Sequence, residues 1–198
     1  MKKTLHRREV VNALLRDRGD LLVIAGLGAP AWDITAAGDH ALSFPLWGAM
    51  GGAAMVGLGL ALAQPKRRVL VVTGDGEMLM GLGSLAVIAV QKPRNLSIVV
   101  LDNECYGETG MQQTHTAHGV DLAGIAGAAG FTHSIMLSTK SELAHLRTQI
   151  FSADRAGPLF AQVKVDPEKL PLVLPPREGS YLKNRFRIAL LGADAAFQ

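Results

Sequence analysis

Residues 69–110 read VLVVTGDGEMLMGLGSLAVIAVQKPRNLSIVVLDNECYGETG, and the fold follows from how this stretch divides. Four apolar residues, 69–72, predict a strand buried on both faces. Thr73-Gly74-Asp75-Gly76-Glu77 predicts a glycine-rich turn, and apolar residues then return at helical spacing over 78–90 until Pro93. Residues 96–101 predict a second buried strand that ends at Asp102-Asn103. Strand, helix and strand form one parallel crossover unit. Asp75 ends the first strand and Asn103 the second, 28 positions later. In a parallel sheet both lie on the carboxyl edge, where ligands bind.

The residue types narrow the ligand. Gly74 and Gly76 allow a tight turn and close backbone approach. A helix starting near Glu77 points free N–H groups and a partial positive charge at the same spot, which suits phosphate. Asp75 and the Asn103 carboxamide are hard oxygen donors; with a backbone carbonyl and two phosphate oxygens they would complete an octahedral Mg2+ site. No Gly-Lys-Ser/Thr follows the turn, which excludes a nucleoside-triphosphate loop. The reading is a metal-bridged diphosphate.

Gly74-Asp75-Gly76 followed by Asn103 resembles the diphosphate motif of thiamine diphosphate enzymes. The resemblance implies thiamine diphosphate and Mg2+ as cofactors. It implies Asp75, Asn103 and the Cys105 carbonyl as metal ligands, with Glu77, Tyr106 and Gly107 beside the cofactor. Asp102 stands where the family's first Asn is usual, and little is expected of that change. Gly48-Ala49-Met50-Gly51 is similar to the Gly-x-Met-Gly of thiamine-dependent decarboxylases and acetolactate synthases, with Met50 24 residues before Gly74. By that resemblance Met50 props the cofactor rings into a V, between Gly48 and Gly51.

The rest of the chain fits one domain. Its 198 residues, 48% hydrophobic, are enough for one well-buried α/β domain and too few for two. A net charge of +3, scattered basic residues and 5% aromatic content give no nucleic-acid stripe. The single cysteine, Cys105, permits no internal disulfide and fits a reducing cytoplasm. The opening MKKTLHRREVVNALL lacks the apolar core of a signal peptide and predicts a helix ending at Gly19. Residues 21–25 predict a strand.

Gly26-Leu27-Gly28-Ala29-Pro30-Ala31 matches the dinucleotide fingerprint G-x-G-x-x-A, which raises a nicotinamide oxidoreductase as an alternative. No acidic residue stands about 20 positions on to end the next strand; Asp39 falls too early. Residues 41–64 carry no charge and could by length span a bilayer, but Pro45 and clustered glycines break the run. A short buried helix over 52–63 is the expectation, with no membrane span.

Residues 104–120 predict a long polar loop beside the reacting centre. Its tract DNECYGETGMQQT is similar to that of the sulfopyruvate and phosphonopyruvate decarboxylases, with Tyr106, Gly110, Gln112 and Thr114 coinciding. His115 and His118 are candidate proton carriers, or equally plain solvated loop residues. Asp121 predicts a helix cap, 131–137 a strand, 139–151 a helix capped at Ser138 or Thr139, and 158–165 a last strand nearer a sheet edge. Five or six β-α repeats give an α/β fold, a doubly wound, mostly parallel sheet with helices on both faces; the resemblance implies that this is the thiamine diphosphate-binding fold. It occupies 1–165. A Pro-rich arm, 166–198, is expected to lie on a neighbouring subunit or to be disordered.

The resemblance also implies what one such domain lacks. The glutamate that activates the cofactor comes, in the family, from a separate pyrimidine-binding domain. The chain therefore resembles the β subunit of a split 2-oxo acid decarboxylase, inactive without an α subunit that carries that domain, in an α2β2 or larger assembly. The implied reaction is decarboxylation of a small 2-oxo acid; an acetolactate synthase-like carboligase subunit and a non-catalytic cofactor-binding relic are the alternatives. The Gly28-Ala29-Pro30-Ala31 loop carries no cation for a sulfonate or phosphonate, whereas that subgroup typically has a Gly-Lys-Thr-Ser-type loop there, and Gly52 replaces its usual His.

Overall fold

The computed structural model describes residues 5–152 and 154–197. Six strands form one sheet: β1 (Leu22–Ala25), β2 (Ser43–Pro45), β3 (Val69–Gly74), β4 (Leu96–Asp102), β7 (His133–Leu137) and β8 (Leu159–Lys164). The order is β2-β1-β3-β4-β8-β7, and every pairing is parallel. Side chains alternate along each strand, so β3 sends Leu70 and Val72 to one face and Val69 and Val71 to the other. Helices α1 (Arg7–Leu15), α2 (Ala29–Ala36) and α7 (Lys140–Phe151) cover the first face. Helices α3 (Ala53–Ala63), α5 (Ser84–Gln91) and α6 (Leu122–Ala129) cover the second. This is the doubly wound, mostly parallel α/β arrangement that the alternating pattern predicts.

Helix α3 lies so close to the sheet that a Cβ on Gly57 would stand 2.2 Å from Val71 Cγ2. It spans 11 residues, and no helix among the described residues is long and apolar enough to cross a membrane. Asp121 caps α6 by accepting from Gly124 N, and Thr139 with Glu142 forms a capping box on α7, as their spacing predicts.

Four expectations are corrected. No turn separates β3 from the next helix, because Gly74 is extended and α4 (Asp75–Met80) begins at once. The helix predicted over 78–90 is broken between α4 and α5, where a Cβ on Gly81 would stand 2.2 Å from the Gly51 carbonyl oxygen. Two backbones cross there, and only glycine allows it. The strand expected near an edge, β8, is interior, between β4 and β7; β7 is the edge. The tail returns to its own chain. Its helix α8 (Gly179–Leu191) buries Leu182 and Phe186, and Phe186 packs at 5.6 Å from the Phe44 ring. Between residues 103 and 120 the loop folds into a two-stranded hairpin, β5 (Cys105–Tyr106) and β6 (Gln112–Gln113).

Candidate cofactor site

A cavity of about 430 Å3 opens at the carboxyl ends of β1, β3, β4 and β8. Gly74, Asp75, Gly76, Asn103, Cys105, Tyr106 and Gly107 all line it, so the two motifs meet as their spacing predicts. Met50 lines it as well, 40% exposed, on a turn where Ala49 has φ +55° and Gly51 φ +91°. Gly48 and Gly51 shape that turn but do not line the cavity.

Asp75 is 1% exposed. Its Oδ2 accepts from the Thr114 hydroxyl at 2.5 Å and the Thr116 hydroxyl at 3.1 Å. Among the described residues no side-chain donor reaches Oδ1. Burial raises the carboxyl to about pKa 6; the Thr114 hydrogen bond opposes the shift, and the nearby Asp102 charge adds to it. A buried carboxylate held at one oxygen and short of partners at the other suits a cation.

Asn103 turns its side chain back on the chain, Oδ1 accepting from Cys105 N at 3.0 Å, and Glu104 follows at φ +62°. Asp102 is not the indifferent replacement expected of it. Fully buried, it accepts from Thr116 (2.7 Å), Glu104 N (3.1 Å), Gln162 Nε2 (2.6 Å) and Lys164 Nζ (2.9 Å). Thr116 thus joins the two carboxylates, and Lys164 supplies the charge that Asp102 needs.

Glu77 lines the cavity and also has hydrogen-bond partners within the chain. Its Oε2 accepts from Thr73 (2.7 Å) and Leu27 N (3.1 Å), and its Oε1 from Ala53 N (3.4 Å). A Cβ on Gly26 would stand 1.9 Å from Oε2. Burial raises its carboxyl while these bonds oppose the shift. Glu77 touches the cavity but works as a clamp that ties the β1–α2 turn and the start of α3 to α4.

The glycines act by space rather than by φ. A Cβ on Gly76 would lie 2.5 Å from the Tyr106 ring, whereas one on Gly74 would meet nothing within 4 Å and would project into open space. Neither has a positive φ. His115 and His118 are exposed, on a 3-10 turn that buries Thr116 between them, and neither lines the cavity, so the geometry gives no support to their carrying protons there. The Gly26 loop belongs to this same cavity, through Leu27, Ala29 and Pro30, and β2 ends at Pro45 without the acidic residue a nicotinamide site needs.

Sequence reasoning missed Thr116, Gln162, Lys164 and Arg7. Asp102 and Lys164 face each other only because β4 and β8 pair in that register, and one chain's sequence does not display register. Arg7 lines the cavity from α1, bound to buried Asp33 at 2.8 Å.

Residues 28–163 match the family model for the thiamine pyrophosphate enzyme, C-terminal TPP binding domain. Over 163 residues the chain is 41% identical to sulfopyruvate decarboxylase subunit beta of Methanothermobacter thermautotrophicus, covering 82% of this chain and 83% of that one. It is 36% identical over 151 residues to phosphonopyruvate decarboxylase of Streptomyces viridochromogenes, covering 76% of this chain but 37% of that one. In fold it is similar to benzoylformate decarboxylase from Polynucleobacter necessarius, with a TM-score of 0.66, 20% identity, and coverage of 85% of this chain and 34% of that chain.

Proposed function

We propose a function from one premise: the chain belongs to the thiamine pyrophosphate enzyme family, as its C-terminal TPP-binding domain. It is the β subunit of a split, Mg2+-dependent 2-oxo acid decarboxylase. The observation that carries this reading is the meeting of Asp75 and Asn103 in one cavity beside Gly74, whose missing side chain leaves room for a diphosphate.

The donor set fits a magnesium-bridged diphosphate. Asp75 Oδ1, the Asn103 carboxamide oxygen and the Cys105 carbonyl are hard oxygens, and Mg2+ takes such ligands together with phosphate oxygens. No group of three His, Cys, Asp or Glu among the described residues could hold a metal alone, which fits an ion that arrives with its ligand. Thiamine diphosphate, when bound, supplies the electron sink that lets CO2 leave a 2-oxo acid.

The chain's own residues do the rest. Thr114 and Thr116 fix the Asp75 carboxylate, and Glu77 fixes the two turns that frame the cavity. Met50 offers a soft apolar prop for the cofactor rings, and Tyr106 covers Gly76.

A partner completes the site. The relatives named subunit beta support an α partner. Met55, Val56 and Leu62 on α3 and Val87 and Val90 on α5 are exposed, and neither helix carries a charged residue. Such a face fits a subunit contact. The partner carries the pyrimidine-binding domain and its activating glutamate, in an α2β2 or larger assembly in the cytoplasm.

The test is CO2 release from 2-oxo acids by this chain alone and by its co-purified complex, each with thiamine diphosphate and Mg2+. Turnover only in the complex is expected; turnover at enzymatic rates by the chain alone would end the split-site reading.

A further inference from the structure

Two arginines at the cavity wall share one carboxylate. Arg7 lines the cavity from the start of α1. Its Nε lies 2.8 Å from Asp33 Oδ2, and Arg8 Nε lies 3.0 Å from Asp33 Oδ1. Asp33 is fully buried, and among the described residues no other carboxylate forms an ion pair with either arginine. Both guanidinium groups stay charged, so one positive charge is left without a counter-charge. Arg8 is the better provided: its side chain is 23% exposed to water, and its Nη2 donates to Pro171 O at 3.0 Å. The Arg7 side chain is 8% exposed, and its Nη1 reaches Glu168 O only at 3.4 Å. The surplus charge therefore falls to Arg7, on the cavity side.

The rim adds charge of the same sign. Lys169 lines the cavity, is exposed, and has no ion-pair partner among the described residues. Two carboxylates of the lining oppose these cations in part. Glu168 pairs with His6 at 3.1 Å. Glu108, exposed on the hairpin, stands too far from Arg7 for an ion pair; burial raises its carboxyl and the Arg7 charge opposes the shift. Asp75 and Glu77 belong to the diphosphate end, where hydroxyl and backbone donors hold them. A buried guanidinium short of counter-charge is unfavourable, and an anion that enters the cavity beside it relieves this.

Decarboxylation decides which anion suits that place. The carboxylate that leaves as CO2 gives up its charge. A cation held on it would stabilise the starting state more than the transition state and so oppose the reaction. Arg7 suits an acid group that keeps its charge throughout. The 28–31 loop carries no cation for such a group, and α1 supplies one instead.

Within the function proposed above, on which this inference rests, we propose that Arg7, with Lys169 at the rim, anchors a second acid group of the substrate. Arg7 is then the residue that selects a 2-oxo acid with a charged tail over one without.

The experiment uses the complex of this chain with its co-purified partner, thiamine diphosphate and Mg2+. Values of kcat/KM are compared for 3-sulfopyruvate, phosphonopyruvate and 2-oxoglutarate, with 2-oxobutanoate as the uncharged-tail control. At least one of the first three is expected to exceed the control by about tenfold to a hundredfold, the scale of a hydrogen bond to a charged group. The leading acid names the head group. Arg7→Met is expected to bring the ratio close to one, and Arg7→Lys to restore part of it. Asp33 keeps Arg8 in Arg7→Met, so its charge stays paired. The ratio is taken within one protein, so a loss of folded material does not move it.

A ratio near one in the unaltered complex, or one that survives Arg7→Met, overturns the inference and leaves the decarboxylase reading standing. Release of CO2 from none of the four acids removes the decarboxylase reading. Calorimetric titration of the complex with the 2-hydroxy analogues of the same acids then decides the subsite by itself. Tighter binding of a charged-tail analogue than of 2-hydroxybutanoate, lost in Arg7→Met, upholds the subsite; no such preference overturns it.

Discussion

Asp102 on β4 and Lys164 on β8 stand opposite each other in register, and the lysine Nζ lies 2.9 Å from the buried carboxylate. Removing one partner of such a pair leaves a charge stranded away from water. Lys164→Met is expected to destabilise the chain by about 2 kcal/mol, a value discounted from the fully buried case because the Lys164 side chain is 26% exposed. The double variant Asp102→Asn with Lys164→Met should recover most of that loss. Urea unfolding of the three proteins measures it, and an additive double variant would show that the pair is not coupled.

The Asp75 carboxyl, raised to about pKa 6 by burial, makes metal-dependent binding sensitive to pH. A protonated Asp75 cannot ligate Mg2+, so the apparent Kd for thiamine diphosphate with Mg2+ should be flat above pH 6. Below pH 6 it should weaken by about tenfold per unit. The same shift acts on folding with its own sign. The folded pKa lies above the unfolded value of about 3.9, so the folded chain holds this proton more tightly. The unliganded chain therefore gains stability from Asp75 as pH falls from 7 to 4, by up to about 3 kcal/mol. The quantity to measure is the difference in urea stability between wild type and Asp75→Asn across that range; a difference that does not change with pH would contradict the assignment.

Gly76 leaves space that the Tyr106 ring fills. Gly76→Ala puts a methyl 2.5 Å from that ring and should push it into the cavity, weakening cofactor binding by at least about tenfold. Pairing it with Tyr106→Ala should restore part of the affinity. No rescue would mean that the glycine matters for another reason.

Gly57 on α3 and Val71 on β3 are in closer contact than any side chain would allow. Gly57→Ala is expected to cost about 1–3 kcal/mol despite alanine's better helix propensity, and Val71→Ala should relieve it. A Gly57→Ala chain with unchanged or raised Tm would contradict the packing described.

The sequence displays the doubly wound sheet because apolar runs such as 69–72 and 96–101 are separated by helical periods and capping residues with few alternatives. It displays the pairing of Asp75 with Asn103 because both end parallel strands, and such ends share one edge. What it hides depends on packing across the chain. The break at Gly81 exists because the Gly51 backbone crosses there, and the clamp by Glu77 exists because Leu27 N and Ala53 N, from two distant segments, converge with the neighbouring Thr73 hydroxyl on one carboxylate. The interior place of β8 depends on strand order, which no local pattern encodes. For His115 and His118 the sequence left proton carrier and solvated loop residue equally open, and only the packing of the 3-10 turn shows both side chains exposed.

The most direct test of the central claim is calorimetric titration of thiamine diphosphate, with and without Mg2+, into this chain alone and into its co-purified complex, each repeated with Asp75→Ala. Tight, Mg2+-dependent binding in the complex only, abolished by Asp75→Ala, is the predicted result. No binding in either state, or binding that survives Asp75→Ala, would contradict a diphosphate site built on the ends of β3 and β4.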